Sequence, residues 1–190
     1  MNNERITSES IFNSAKIIRL SIDPDFIIKP FNCDSGGDFD DFFCNQAKHY
    51  QKYLLQVTYI IEYKEETIAY YTVSNDLLRV GIDKKREVRS KLKGNITNSF
   101  GYTILDRQTF PAVKIGVLAV SKKYQNIGIG TKILDFLLFG FKNNTNKTGC
   151  LFVTVDGVKE SVGFYNRNGF KFLLETDTNA NSRQMYKCLL

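Results

Sequence analysis

The residues best placed to do chemistry form a glycine-bearing turn. Gln125-Asn126-Ile127-Gly128-Ile129-Gly130-Thr131 lies between one apolar run, Val113 to Val120, and a second, Thr131 to Phe141. Glycine lets a backbone approach a ligand closely and accepts positive φ. A helix start beside it offers unpaired N–H groups and the positive end of the helix dipole. Together they make a cradle for a phosphate or pyrophosphate. Two common phosphate motifs are excluded. A P-loop needs GxxxxGK[ST], but Gly130 precedes Thr131-Lys132 and position 125 is Gln. A dinucleotide fingerprint needs GxGxxG, and Ile133 stands where its third glycine belongs. A tight turn without a ligand is the plain alternative.

Other catalytic chemistries find little support. His49 is the only histidine, and Cys33, Cys44, Cys150 and Cys188 contain no CxxC pair. Zinc, which takes about four N/S ligands at characteristic spacing, is therefore not expected. His49 lies in a polar helical stretch with no nucleophile motif and reads as a solvated surface residue. The net charge of +6 is concentrated. Between Arg79 and Lys93 stand Lys84, Lys85, Arg86, Arg89 and Lys91, opposed only by Asp83 and Glu87. Asp34, Asp38, Asp40 and Asp41 form the opposite cluster. The basic run suits a nucleic-acid backbone, through counterion release, or a solvated helix face; charge alone leaves both open.

The elements that must position the turn follow one another at single-domain spacing. The 190 residues are 43% apolar, enough for one compact domain without metal or disulfide staples. Ile17 to Leu20 and Phe26 to Ile28, around Asp23-Pro24, suggest an opening strand and turn. Asp38 reads as a helix N-cap, with Phe39, Phe42, Phe43, Ala47 and Tyr50 at helical spacing. Gln56–Glu62 and Thr67–Ser74 flank Tyr63-Lys64-Glu65-Glu66 as a β-hairpin. A basic insertion around 77–110 follows. Val113–Val120 and Cys150–Val155 read as buried strands. The helix over Thr131–Phe141 is apolar on nearly every side, so it should be covered on two flanks. A helix over Lys159–Asn168 should close on Gly169 at C′. Phe170–Leu174 and Gln184–Leu190 complete the set. The fold class is α/β (α+β), a mixed, mostly antiparallel sheet of about six or seven strands flanked by helices. No stretch approaches the roughly 18–20 apolar residues of a membrane span. The polar start lacks the order of a signal peptide, so a soluble, cytoplasmic chain is expected.

These motifs resemble the GNAT N-acetyltransferase family. Gln125-Asn126-Ile127-Gly128-Ile129-Gly130 fits its Q/R-x-x-G-x-G/A signature. Phe164-Tyr165-Asn166-Arg167-Asn168-Gly169-Phe170 looks like its second marker, with Tyr165 40 positions after Gln125. More of the chain is similar to the toxin subgroup of GNAT proteins. Phe31-Asn32-Cys33, Ala69-Tyr70-Tyr71-Thr72-Val73-Ser74 and Pro111-Ala112-Val113 resemble its F-x-C, G-Y-Y-T-L-S and P-A-V segments. Gly116-Val117 stands where that subgroup commonly has Gly-Arg. Val158 stands where classical family members carry an asparagine, seven positions before the tyrosine.

The resemblance implies a single N-acetyltransferase domain over residues 1–190 that uses acetyl-CoA as acyl donor. It places the pantetheine along Leu118, Ala119 and Val120, and the pyrophosphate on Gln125, Asn126, Ile127, Gly128, Ile129, Gly130 and Thr131. It makes Tyr165 the acid that protonates the leaving sulfur. With free values of about 10 for Tyr and about 8.5 for a thiol, that transfer is about 2 kcal/mol uphill. No carboxylate is singled out as a base, which favours an α-amine, at about 7.7–8.0, over lysine at about 10.4. The implied acceptor is the amino group of aminoacyl-tRNA, with Lys84, Lys85, Arg86, Arg89, Lys91 and Lys93 as candidate RNA contacts. A small antitoxin protein is the implied partner, and a homodimer is a further expectation. The alternatives are an acetyltransferase for a small-molecule or protein amine, and a CoA-binding module without catalysis.

Overall fold

The computed structural model describes residues 7–34, 38–80, 108–143, 148–174 and 181–189. It divides into two compact units: Met1–Ser74 with Ile115–Leu137, and Asn75–Lys114 with Leu138–Leu190. Strand order is β1 (Lys16–Arg19), β2 (Val57–Tyr63), β3 (Glu66–Arg79), β4 (Thr109–Val120) in the first and β3, β4, β5 (Phe152–Val158), β7 (Ser182–Cys188), β6 (Lys171–Phe172) in the second, the chain of β3 and β4 passing through both.

The first unit opens with α1 (Ser8–Ser14), which the sequence reading omits. Thr7 and Ser10 bond reciprocally across its first turn, a capping box with Ser in the place usually held by Glu or Gln. Strand β1 (Lys16–Arg19) pairs antiparallel with β2 (Val57–Tyr63), which pairs antiparallel with β3 (Glu66–Arg79). The expected hairpin is present, and Lys64 and Glu65 both take positive φ in its turn, matching strand twist. Phe26 to Ile28 is not a strand: Phe26 N–H closes a turn onto Asp23, and the Phe26 and Ile28 side chains pack on the core while Ile27 is exposed.

The helical segment after Asp38 is interrupted. α2 (Asp38–Asp41) runs into a π-turn (Phe42–Gln46) and then α3 (Ala47–Lys52). These elements press Phe43 and Ala47 onto Leu20, Phe31, Cys33, Ile60, Tyr70 and Ala119. Tyr70 stacks on Phe43 at 4.5 Å, meets Phe31 edge-on at 5.2 Å, and donates to the Phe39 carbonyl at 2.7 Å. Fully burying one such aromatic ring contributes about 1.5–3 kcal/mol. Buried Gln51 ties α3 to the sheet: its amide donates to Leu20 O, and its oxygen accepts from Thr58 N–H at 2.9 Å.

Strand β4 (Thr109–Val120) leads into α4 (Ile129–Asn143). Ile129, Ile133, Leu134 and Leu137 are buried, but Phe136 is 44% and Phe139 70% exposed. Only one stripe of α4 is covered, contrary to the two flanks its composition suggested.

In the second unit, β5 (Phe152–Val158) pairs antiparallel with β7 (Ser182–Cys188), which pairs with β6 (Lys171–Phe172). Strands β4 and β5 are neighbours joined through a helix, the crossover that a parallel pair requires. Phe152 meets Phe110 and Tyr186 edge-on, each at 5.7 Å, over Leu78, Val80, Ala112 and Leu173. Helix α5 (Val162–Arg167) starts three residues later than expected, because Val158 to Ser161 forms a turn, with Ser161 N–H and hydroxyl both donating to Val158 O. Gly169 follows at φ 81°, as expected of a C′ residue. The expected insertion is narrower: β3 continues to Arg79, and Val80 N–H bonds Gln108 O at 2.8 Å. The remainder of that segment, with its helical expectation, lies outside the described residues. No described helix is long and apolar enough to cross a membrane.

Burial raises the hydroxyl pKa of Tyr70 and Tyr71, and pushes that of Tyr165 up to about 12. The folded chain keeps these protons at pH values where the unfolded chain, titrating near 10, releases them. Their stability contribution is complete below about pH 10 and is lost as pH rises towards the folded values. Urea midpoints should hold level to about pH 10 and then fall, with 295 nm phenolate absorbance appearing as the chain unfolds. A midpoint unchanged at pH 11 would contradict this.

Candidate functional site

In the first unit, β4 approaches β3 closely. Val117 N–H donates to the Thr72 hydroxyl at 2.9 Å. A Cβ on Gly116 would lie 2.8 Å from that hydroxyl oxygen and 3.2 Å from Gln56 Oε1, so the position excludes a side chain. Beyond it, Ala119 is buried in the core, whereas Leu118 and Val120 are half-buried.

The chain leaves β4 through a short 3-10 turn (Lys122–Tyr124). Lys122 N–H bonds Asn32 O at 2.9 Å, and Ser121 N–H bonds Ile68 O at 2.8 Å. Lys123 and the Tyr124 hydroxyl both donate to Glu66, holding its carboxyl below the usual range. Gln125 then acts as a strut. Its side-chain amide donates to Cys33 O at 2.8 Å and to Val120 O at 2.9 Å, and its own N–H turns inward to Lys122 O at 3.4 Å. Asn126 and Gly128 take φ of 61° and 92°, left-handed conformations that reverse the chain into α4. The first bond of α4 runs from Lys132 N–H to Gly128 O at 3.1 Å. Among the described residues, no backbone bond is donated by any residue from Asn126 to Thr131. Their N–H groups stand at the positive end of a 15-residue helix, with Asn126, Ile127, Gly128 and Thr131 exposed. Such an arrangement binds a phosphate or diphosphate.

In the second unit, Tyr165 sits on α5 and is 7% exposed. Phe164 and Phe170 pack on it at 5.2 and 5.4 Å. Gly157 makes room for the ring: a Cβ there would be 3.6 Å from Tyr165 Cδ2 and 3.1 Å from Met185 Sδ. Phe170 N–H bonds Tyr165 O at 3.0 Å, so the Gly169 turn fixes the backbone beneath the phenol. No described residue hydrogen-bonds its hydroxyl. Burial raises its pKa to about 12, which keeps it a proton donor at neutral pH.

Lys84, Lys85, Arg86, Arg89, Lys91 and Lys93 lie outside the described residues. His49 is exposed, none of the four cysteines forms a disulfide, and no described group of His, Cys, Asp or Glu could hold a metal. The sequence reading missed a cleft of about 550 Å³ lined by Asp38, Phe39, Asp41, Phe42, Gln46 and Val117. Its only signal was the acidic run placed among aromatic residues.

The sequence pattern of a family described as an acetyltransferase (GNAT) domain matches residues 58–185. No curated protein matches the chain. Several solved structures share the fold. A bacterial toxin aligns at TM-score 0.71 and 18% identity, over 92% of this chain and 90% of that one. AtaT complexed with acetyl-methionyl-tRNAfMet aligns at 0.67 and 19%, over 90% and 93%. A mutant AtaT toxin bound to the C-terminus of the antitoxin AtaR and acetyl-CoA aligns at 0.66 and 15%, over 93% and 94%.

Replacing Gln125 with Ala removes both strut bonds and strands part-buried carbonyls. A stability loss of about 1–3 kcal/mol in urea titration is the expected outcome.

Proposed function

The chain belongs to the GNAT acetyltransferase family, and on that premise we propose that it transfers acetyl from acetyl-CoA to the α-amine of an aminoacyl-tRNA, acting as a toxin that blocks translation. The observation that carries the donor half is the run of unpartnered N–H groups from Asn126 to Thr131 at the start of α4. The acceptor half is supported by the fold shared with AtaT, which was solved with acetyl-methionyl-tRNAfMet. In this reading residues 1–190 are a single N-acetyltransferase domain with a basic insertion around 77–110, whose Lys84, Lys85, Arg86, Arg89, Lys91 and Lys93 contact RNA. A small antitoxin partner, a homodimer and a cytoplasmic location complete it.

Each residue then has a task. The turn from Gln125 to Thr131 holds the diphosphate, with Gln125 acting mainly as the strut. Leu118 to Val120 pair with the pantetheine amides in the manner of an added strand. One N–H from that strand polarises the thioester carbonyl. The amine nitrogen bonds to the carbonyl carbon, the C–S bond breaks, and the sulfur leaves as thiolate, the group that the family pattern pairs with Tyr165. At a pKa of about 12 the phenol is a weaker acid than free tyrosine. Full proton transfer to a thiolate near 8.5 is now about 3.5 units uphill, or about 5 kcal/mol. Tyr165 therefore stabilises the thiolate as a hydrogen-bond donor, and the proton released by the amine completes the thiol. No carboxylate base is needed for an α-amine already near neutrality at pH 7–8.

Three outcomes check this. Tyr165→Phe should lower kcat by about 10²-fold and leave the CoA dissociation constant within about twofold, read by kinetics and calorimetry. The rate should rise with pH through the amine value near 8 and show no descending limb from Tyr165 below about pH 11. Radiolabelled acetyl-CoA should place label in bulk charged tRNA; label in polyamine or peptide but not RNA would reject the toxin reading for the small-molecule or protein-amine one.

A further inference from the structure

Helix α1 lies before the first strand and outside residues 58–185, which the family pattern matches, yet it reaches the donor turn. Ile11 is 1% exposed and anchors it, and Phe12 meets Phe136 of α4 edge-on at 6.1 Å. At the other end of α1, Ser8 stands against Gly128. A Cβ on that glycine would lie 3.2 Å from Ser8 Oγ and 3.6 Å from Ser8 Cβ. Gly128 holds φ of 92° within the outward-facing row from Asn126 to Thr131, so its missing side chain serves both the turn and the approach of the serine. The Ser8 hydroxyl has no task inside the protein. Thr7 and Ser10 cap α1 between them: Thr7 N–H donates to Ser10 Oγ at 3.1 Å, Ser10 N–H to Thr7 Oγ1 at 3.2 Å, and the Ser10 hydroxyl to Thr7 O at 2.9 Å. Ser8 is half-buried, and among the described residues its hydroxyl has no hydrogen-bond partner.

We propose that Ser8 completes the donor cradle, its hydroxyl donating to a phosphate oxygen of the diphosphate that the turn holds. The inference rests on the acetyl-CoA reading above and adds a ligand from an element that lies outside the family pattern. Backbone amides point in directions fixed by the turn, whereas a serine hydroxyl rotates about its C–O bond and turns its one proton to an oxygen the amides leave unmet. A hydrogen bond to an ionised acceptor is also about twice as strong as a neutral one. Ile11 and Phe12 hold α1 in place before the ligand arrives, so little ordering is needed when the bond forms. The short side chain suits the spacing, because a longer one at position 8 would press on the Gly128 backbone. Helix α1 is thus a brace on the start of α4 that ends in a ligand.

The test compares the full chain with Ser8→Ala and Ser8→Asp, circular dichroism confirming that each is folded. The aspartate sits at the first residue of α1, where a helix favours negative charge, so that variant keeps α1 while opposing a diphosphate. CoA binding is measured by calorimetry, the bound diphosphate by phosphorus NMR, and pantetheine, which lacks the diphosphate, by ligand-observed NMR. Ser8→Ala should weaken CoA about five- to tenfold and move the phosphorus resonances of the bound diphosphate. Ser8→Asp should weaken CoA at least about thirtyfold. Pantetheine should bind all three proteins alike. Unchanged CoA affinity in Ser8→Ala overturns the assignment and leaves the donor reading standing. Equal losses for CoA and pantetheine overturn it too, since they mark Ser8 as packing only. Failure of the unaltered chain to take up CoA overturns the donor reading, and the Ser8 assignment with it.

Discussion

Turning a run of backbone N–H groups outward leaves them without protein partners, and the arrangement persists only where other bonds fix the turn. Here that duty falls on the Gln125 carboxamide. It joins the end of β4, through Val120 O, to the segment before α2, through Cys33 O. With those carbonyls satisfied, Asn126 and Gly128 can hold left-handed conformations, and α4 begins with its amides facing outward. Lys122 and Lys123 pair with Asp34 and Glu66 on the approach to the turn. These exposed pairs are individually weak, about 0–1 kcal/mol, and an anionic ligand can compete for the lysines at little cost.

The same strand serves two electrostatic surroundings in the first unit. At its end lies a turn of N–H dipoles suited to a diphosphate. At Val117 it borders a cleft whose charged lining, among the described residues, is Asp38 and Asp41. Thr72 keeps this geometry in register by accepting from Val117 N–H, and Gly116 permits the approach.

Much of this was legible in the chain because the relevant signals are local. Val113 to Val120 followed by Gly128 and Gly130 reads as strand, turn and helix, and Gly169 reads as a helix stop. The hairpin at Lys64-Glu65 was legible from its β-branched flanks, although its turn residues are not the usual Asn-Gly. Other features depend on distant residues. Phe26 and Ile28 look like a strand, but they answer to a core cluster formed by α2, α3 and the sheet. Phe136 and Phe139 read as buried because composition does not reveal which side of α4 is covered. Helix α1 went unread because Ser10, not Glu or Gln, completes its capping box. The π-turn was hidden because Phe39, Phe42, Phe43, Ala47 and Tyr50 satisfy a helical period closely enough to absorb one extra residue. The cleft, joining residues 38–46 to position 117, has no sequence-local signature.

That extra residue has an evolutionary reading. A π-turn differs from an α-turn by a single insertion, and one residue corresponds to about 100° of helix rotation. Loss of one codon within Phe42–Gln46 would restore regular winding and swing Asp38, Phe39 and Asp41 round the axis relative to α3. A single indel could thus re-aim the residues of α2 against α3, while the turn from Gln125 to Thr131, far away along the chain, stayed untouched.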